Sequence, residues 1–504
     1  MIMIAKAKII KGMYLDSVKL MLISKELRGL QGVEDAVAIM ATKENKDILA
    51  ATGMLVEEAK TAKDSEIVVV VKAQDEPKAE SAMQKAEELL TAPVKKRSGD
   101  KAHPGSIQAA VRDLDGADIC LISVAGKYAA AEANKALDMG LHVMLFSDNV
   151  SVAEELYLKQ KAVDKGLLMM GPDCGTAIIN GVPLAFSNVM QAGHIGLVSA
   201  SGTGLQEVCA GIAHRGEGIS QAFGTGGRDG KNAIGGLMLC SCLDFLMQDA
   251  DTKVIVLIAK TPDAEIQAKL WEKIGQSSKP VVVNFLKDME VPPIADMQYC
   301  NSLEETAAIA CAVLRGDKPM YPEGEGYPLP KPIAGRKYIR ALYSGGTLCY
   351  EAMQMYKRRR GHYPKSNIAS ETEFMLKDVW HSEGDCFIDM GADDFTVGRP
   401  HPMIDFTLRL KKIAEEAVHK DVAVILLDVV LGYGSHINPA KELVPVLQGL
   451  DKEIVVVCHV LGTEDDPQHL HEQVKALKDA GARVFTSHRR AVAEALDIVE
   501  QGGV

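Results

Sequence analysis

The sequence predicts an α/β protein: a Rossmann-like domain plus two repeated flavodoxin-like parallel-sheet domains, with an N-terminal α+β ferredoxin-like module. Three observations carry this reading. From about residue 106 onward, short apolar strands alternate with amphipathic helical stretches, the rhythm of βαβ units. Several strands end in small-residue turns that open directly into a helix. Finally, LVSASGTGLQEVCAGI (Leu197–Ile212) returns as ALYSGGTLCYEAMQMY (Ala341–Tyr356). At one constant offset, Ile195, Gly202, Thr203 and Glu207 fall on Ile339, Gly346, Thr347 and Glu351, so the chain builds one strand–glycine–threonine–helix corner twice.

Taken in order, residues 1–95 read as β-α-β-β/α-β-α. Strand-like IAKAKII precedes helical DSVKLMLISKELRGL, then come DAVAIMAT, SEIVVVVKA and PKAESAMQKAEELL. That order suggests a ferredoxin-like regulatory or assembly module. The charged VKKRSGDKAHPG, Val94 to Gly105, reads as a linker. Residues 106–192 form the Rossmann-like domain, with strands DICLISVAG, HVMLFSD and LLMMGPD separated by helices. Residues 193–316 continue with HIGLVSAS, QAFGTGG, KVIVLIAK and PVVVNFL as strands. Five prolines between Pro319 and Pro332 can continue neither a helix nor a central strand, so 317–336 is a linker. Residues 337–504 then repeat the third unit through IRALYSGG, CFIDMGAD, VAVILLDVV, EIVVVCHV and RVFTS.

Composition narrows the function classes. At 504 residues the chain needs several cores, and 47% hydrophobic with 25% charged residues is globular. A net charge of -12 disfavours nucleic acid, since an acidic surface repels phosphate backbones. Small anionic substrates would need a locally positive pocket. The ten cysteines are scattered without CxxC spacing, as in a reduced cytoplasmic chain. No signal peptide or membrane span is legible, and histidine and carboxylate spacings suggest no metal site. Self-association into a homo-oligomer stays open.

The repeated corners carry the chemistry. A helix start exposes unpaired N–H groups and about half a positive charge, and glycine lets an anion approach the backbone. Ser201, Gly202, Thr203 and Gly204 in the first corner, with Gly345, Gly346 and Thr347 in the second, are therefore candidate phosphate or substrate ligands. Each threonine could equally be a plain helix cap. FGTGGRDG offers Gly226, Gly227 and Arg228, and its counterpart from Asp389 to Asp405 offers Arg399 and His401. The arginines could grip a carboxylate bidentately or lie solvated, and His401 is acid–base equipment or an ordinary loop residue. Lys127, near another helix start, could meet a phosphate. Cys174 in GPDCGT reads more readily as a small buried residue than as a reactive thiol. A nucleophile elbow is excluded, because Ser201 is flanked by Ser199 and Thr203 where GxSxG needs glycines.

GLLMMGPDCG, HIGLVSASGTGLQE, FGTGGRDG and PVVVNF resemble, in order and spacing, the α subunit of succinyl-CoA synthetase. The fourth unit resembles the ligase domain of that enzyme's β subunit. From KGMYLDSVKLMLIS to VGRPHPMID the chain resembles the FdrA family, nominally acyl-CoA synthetases. The resemblance implies that both corners point at one shared phosphate, and that residues 106–192 are a CoA-binding-like domain. Lys127, Ser147, Asp148, Asn149, Asp173 and Cys174 would line its CoA-like site. It also implies partner subunits.

Departures from the pattern are informative. KDMEVPPIADMQYCNS contains no histidine where the family carries a phosphohistidine, and Lys260 replaces the carboxylate that orients it. The CoA-phosphate loop and an ATP-grasp region are also missing. A phosphate cradle without its swinging histidine suits direct phosphorolysis. One family branch is an oxamate carbamoyltransferase of several subunits, converting oxalurate and phosphate to oxamate and carbamoyl phosphate in anaerobic allantoin degradation. This is the expected activity, with phosphate or carbamoyl phosphate as substrate and Lys260 and His401 as catalytic candidates. The alternatives are a CoA-ligase subunit completed by its partners, for which CoA would be a ligand, and an anion-sensing scaffold.

Overall fold

The computed structural model describes residues 3–13, 17–42, 45–46, 49–50, 53–64, 66–91, 104–124, 126–321, 326–396 and 399–501. Most of the Val94–Gly105 linker and part of the proline-rich segment lie outside the described residues. The chain divides into two units, one of residues 1–103 with 393–401, the other of residues 104–392 with 402–504.

The first unit runs β1 (Ile4–Ile10), α1 (Ser17–Arg28), β2 (Val33–Met40), α2 (Glu57–Lys60), β3 (Ile67–Ala73) and α3 (Glu76–Thr91). Its sheet has the order β1-β3-β2, antiparallel throughout. IVVVVKA is buried along nearly its whole length because β3 is the central strand, covered on both faces. Helices α1 and α3 close one face through Leu27, Ala79, Ala82 and Ala86. This is the α+β module expected from sequence.

In the second unit, α4 (Ile107–Asp113) precedes β4 (Ile119–Ile122), α5 (Gly126–Asp138), β5 (His142–Leu145), α6 (Val152–Asp164) and β6 (Met169–Met170). The strands form a three-stranded parallel sheet. The hairpin β7 (Thr176–Ile179) and β8 (Val182–Ala185) does not belong to this sheet. It pairs with β10 of the next one through Ile178 and Ala222, which corrects the expected domain limit at residue 192.

The next sheet holds β9 (Ala192–Ser199), β10 (Ile219–Gly224), β11 (Val254–Ile258), β12 (Val281–Asn284) and β13 (Met297–Tyr299), with α7 (Gly202–Ala213), α8 (Leu237–Gln248), α9 (Ala264–Ile274) and α10 (Leu303–Arg315). Its order is β13-β12-β11-β9-β10-β7-β8. The last sheet holds β14 (Tyr338–Tyr343), β15 (Lys365–Ser366), β16 (Cys386–Asp389), β17 (Val422–Val430), β18 (Val455–Leu461) and β19 (Arg483–Phe485). Helices α11 (Gly346–Arg360), α12 (Thr407–Glu416), α13 (Pro439–Gly449), α14 (Leu470–Asp479) and α15 (His488–Gln501) go with it. Its order is β15-β16-β14-β17-β18-β19. The first strand of each repeat is internal, β9 between β10 and β11 and β14 between β16 and β17, so the strand order reverses there and the crevice at its carboxyl end is a topological switch point. Both corners open there.

The two repeats lock together around α7 and α11, which are buried on almost every face and share one core. The lock is reciprocal. Glu351 of α11 accepts from the amide of Leu303, first residue of α10, at 2.8 Å. Glu207 of α7 accepts from the amide of His488, first residue of α15, at 3.4 Å. Each glutamate thus satisfies a helix start of the other repeat. His459 Nε2 sits 2.8 Å from Glu207, His488 Nδ1 sits 2.5 Å from Glu351, and the Tyr343 hydroxyl lies 3.0 Å from His488 Nε2.

Burial pulls the His459 pKa down, but the charge of Glu207 and its hydrogen bond outweigh it and raise the net value. Burial likewise pushes Glu207 up, yet His459 brings it below the ordinary carboxylate range. The pair therefore contributes stability that is lost on the acid side as Glu207 protonates and on the alkaline side above the usual histidine range. Replacing Glu351 with alanine strands the Leu303 amide and His488, and should cost about 2–4 kcal/mol in chemical denaturation. An unchanged denaturation midpoint would show that the reciprocal lock adds nothing.

Candidate functional site: the paired helix starts

The corners meet directly. Ser201 caps α7 by accepting from the Gly204 amide at 3.0 Å, and its Oγ lies 2.5 Å from Thr347 Oγ1 on α11. A Cβ on Gly345 would sit 2.9 Å from Thr203 Cγ2, and one on Gly204 would sit 3.1 Å from Thr347 Cγ2. Small residues are required here because each helix start presses on the other. Ser201 and Thr347 are buried, whereas Gly202, Thr203 and Gly346 are half-buried and reach the surface. The hydroxyls of Ser201 and Thr347 thus serve each other rather than standing clear for a ligand. That leaves the amides of Gly202 and Thr203 on α7 and of Gly346 and Thr347 on α11, which have no partner within an α-helix.

The second corner is held from behind. Buried Asp428, on β17, accepts from the amides of Ser344 at 2.7 Å and Gly345 at 2.8 Å. Arg409 of α12, also fully buried, donates to Asp428 Oδ1 at 2.6 Å and balances its charge. Buried Asp389 closes the side. A Cβ on Gly346 would fall 2.3 Å from Asp389 Oδ2, and Asp389 Oδ1 accepts from the Gly391 amide at 2.9 Å. Burial, with smaller contributions from Asp428 and Asp173, pushes the Asp389 carboxyl up to about 6, against the opposing pull of Lys260 and the Gly391 amide. Lys260 follows β11, is exposed, and holds its Nζ 5.9 Å from the Tyr350 ring centre on α11. Two helix ends, one exposed lysine and a carboxyl raised to about 6 are thus gathered at one place.

Other expected residues go elsewhere. Arg228 does not present itself to a ligand. Its Nε pairs with buried Glu155 at 2.8 Å and its Nη2 donates to the Val150 carbonyl, so it fastens α6 to the loop after β10. Lys159 completes that fastening with Glu155 and Asp229, each at 2.8 Å. Gly226, at φ +85°, lets the loop approach the Pro172 carbonyl, while Gly227 is exposed. Arg399 and His401 group with the first unit rather than with the corners.

The expected CoA-like residues line adjoining strand ends. The Asp173 amide donates to Ser147 O at 3.0 Å, and a Cβ on Gly126 would lie 2.3 Å from Asp148 O. Lys127, Asp148 and Asn149 are exposed, with the Lys127 ammonium over the Tyr128 ring. Cys174 is buried, and burial pushes its thiol up to about 12, which keeps it a thiol. Sequence reasoning did not single out Asp389, Asp428 or the histidines facing the glutamates. The only signal was the matched Glu207 and Glu351.

Set against known proteins, these features define a CoA-ligase-type chain. Residues 342–498 match the CoA-ligase family model, and 190–286 match the CoA binding domain, further along the chain than the 106–192 unit expected for that role. Residues 3–106 match the domain described as AllF, heavy metal-associated. His103 is the only histidine or cysteine in that span, so the side chains present do not fit a thiolate metal site. The Escherichia coli protein YahF, itself uncharacterized, is 42% identical over 490 residues, covering 94% of each chain. Succinate–CoA ligase subunit alpha 1 of Archaeoglobus fulgidus is 28% identical over 42% of this chain and 72% of its own. Malate–CoA ligase subunit alpha of Methylorubrum extorquens is 27% identical over 41% of this chain and 72% of its own. The chain belongs to the FdrA family of succinyl-CoA synthetase α-like proteins. Among the described residues no helix is long and apolar enough to cross a membrane.

Two outcomes test the site. Gly202→Ala adds a methyl 3.4 Å from Thr176 Oγ1, an ordinary contact. It should weaken sulfate binding about tenfold by crowding the amides while leaving the melting temperature within about 2 °C. Sulfate affinity equal to the parent's would remove Gly202 from the site. Because Asp389 titrates above its unfolded value, the parent loses stability as pH rises from about 4 through about 6. Asp389→Asn should therefore be more stable than the parent at pH 8, by on the order of 1–3 kcal/mol, with the gap vanishing near pH 4. Denaturation curves that differ equally at both pH values would contradict the assignment.

Proposed function

We propose that this chain is a subunit of an NDP-forming CoA-ligase-type enzyme, and that its paired helix starts hold the phosphoryl or acyl-phosphate group during transfer. The carrying observation is the direct joining of the two corners through Ser201 and Thr347 at the switch points of two parallel sheets. Charge developing on a transferring phosphate would meet oriented amides from both repeats, which need no rearrangement at the moment of reaction. Asp389, beside Gly346, can hold or release a proton at the same place. Lys260 adds a cation on the open side. CoA would lie along the strand ends bearing Lys127, Asp148 and Asn149; its thiol, losing its proton, would attack the acyl carbon of the acyl phosphate as the carbon–oxygen bond to phosphate breaks and phosphate leaves. Succinate and malate, named in the relatives above, set the class of acid to try first.

A second reading follows from the histidine-free segment Lys287–Ser302. With no histidine there to carry the phosphoryl group, phosphate itself can be the nucleophile. A phosphate oxygen would attack the carbamoyl carbon of oxalurate, the C–N bond would break, and the departing nitrogen would take a proton. The products are oxamate and carbamoyl phosphate.

One assay set separates the two. The chain with its partner subunits is supplied either with a nucleoside triphosphate, CoA and succinate or malate, or with oxalurate and phosphate. Acyl-CoA formation is expected from the ligase reading and carbamoyl phosphate release from the second. Turnover in neither mixture, with every partner present, would leave the corners as an anion sensor and end both readings.

A further inference from the structure

Between the two repeats, at the opposite end of α7 from the corner, lies a cavity of about 250 Å³. The eleven steps of α7 put roughly 16 Å between its two ends. Arg215, Lys478 and Arg490 line the cavity, with Val484, Phe485 and Ser487 beside them. Two carboxylates also face it: Glu207, paired with His459, and Glu304, which lies 3.7 Å from Arg489 and also acts on Arg215. His214 is turned to the Gly462 carbonyl at 2.9 Å, and burial holds its pKa below the usual value, so it stays neutral. Three cations thus face two carboxylates, one of them paired with His459, and the balance is cationic. Arg215 donates from Nε to Met320 O and from Nη1 to Gly211 O, while its Nη2 is buried without a hydrogen-bond partner among the described residues. A buried guanidinium N–H left over in this way calls for an acceptor.

The repeat supplies an internal control. At the constant offset, His214 corresponds to Arg358, and the loop before α15 corresponds to the loop before α10. There Arg358 pairs with Asp288 at 2.8 Å and donates to Asn301 O at 3.2 Å. One repeat thus ties this helix end to the loop before α10 by an arginine, whereas in the other the matched His214 turns to the Gly462 carbonyl.

We propose that this cavity binds a small organic oxyanion, a carboxylate or phosphate ester, which tethers the end of α7 to the start of α15. The site lies beside the Glu207–His488 lock, so its occupancy stiffens the joint between the repeats. This is independent of what the paired corners hold. The test is calorimetry of the full chain with glutarate and glycerol 3-phosphate as probes, together with mapping of phenylglyoxal modification by mass spectrometry. Either probe should bind saturably and slow modification of Arg215 and Arg490, and whichever binds identifies the anion class. Arg215→Gln and, separately, Arg490→Gln should each raise its Kd about tenfold, whereas Gly202→Ala should not. Unaltered Kd in both folded arginine variants, no protection, no saturable binding of either probe, or loss of binding in Gly202→Ala would overturn the proposal.

Discussion

The whole second unit depends on two glutamates that each finish a helix belonging to the other repeat. A helix start buried at a domain interface has amides that water cannot reach, and leaving one unpaired costs about 1–3 kcal/mol. Glu351 meets the Leu303 amide and Glu207 meets the His488 amide, so neither repeat can complete its final helix alone. The histidines then answer the charge that the glutamates bring inside. These contacts hold α7 and α11 about one and a half turns from their starts, where Ser201 meets Thr347.

The same geometry sets helix-start amides beside a buried carboxyl in an acidic protein. Net charge acts at long range and is screened, whereas helix-start amides act within one turn and cannot titrate away. Asp428 and Arg409 do the holding from behind, and Asp428 consumes the Ser344 and Gly345 amides in the process. The corner is therefore rigid at its rear and open at its front. Asp389 is brought so near Gly346 that only a residue without a side chain fits there, and its burial sets a carboxyl with a movable proton beside the open amides.

Much of the site was legible because it is local. Gly202, Thr203, Gly346 and Thr347 announce themselves as strand-to-helix turns, and their repetition marks them as a pair. Arg228 misled for an instructive reason: an arginine in a glycine-rich loop looks available, and only the fold reveals Glu155 waiting on α6. Asp389 and Asp428 are unremarkable acids at strand ends until the sheet order places both beside α11. The hairpin Thr176–Ala185 was not read from the sequence at all, and only the fold shows it pairing with β10 across the expected domain limit.

By itself the sequence determined the alternation of strands and helices, the duplication, and the small residues at the corners, since these follow from nearest-neighbour sterics and the period of the apolar residues. Tertiary structure alone decided which amides stay open, which acids hold the corner from behind, and which cations surround a cavity. Those outcomes depend on approach distances between segments up to 281 positions apart, and the order of residues along a chain does not encode such distances.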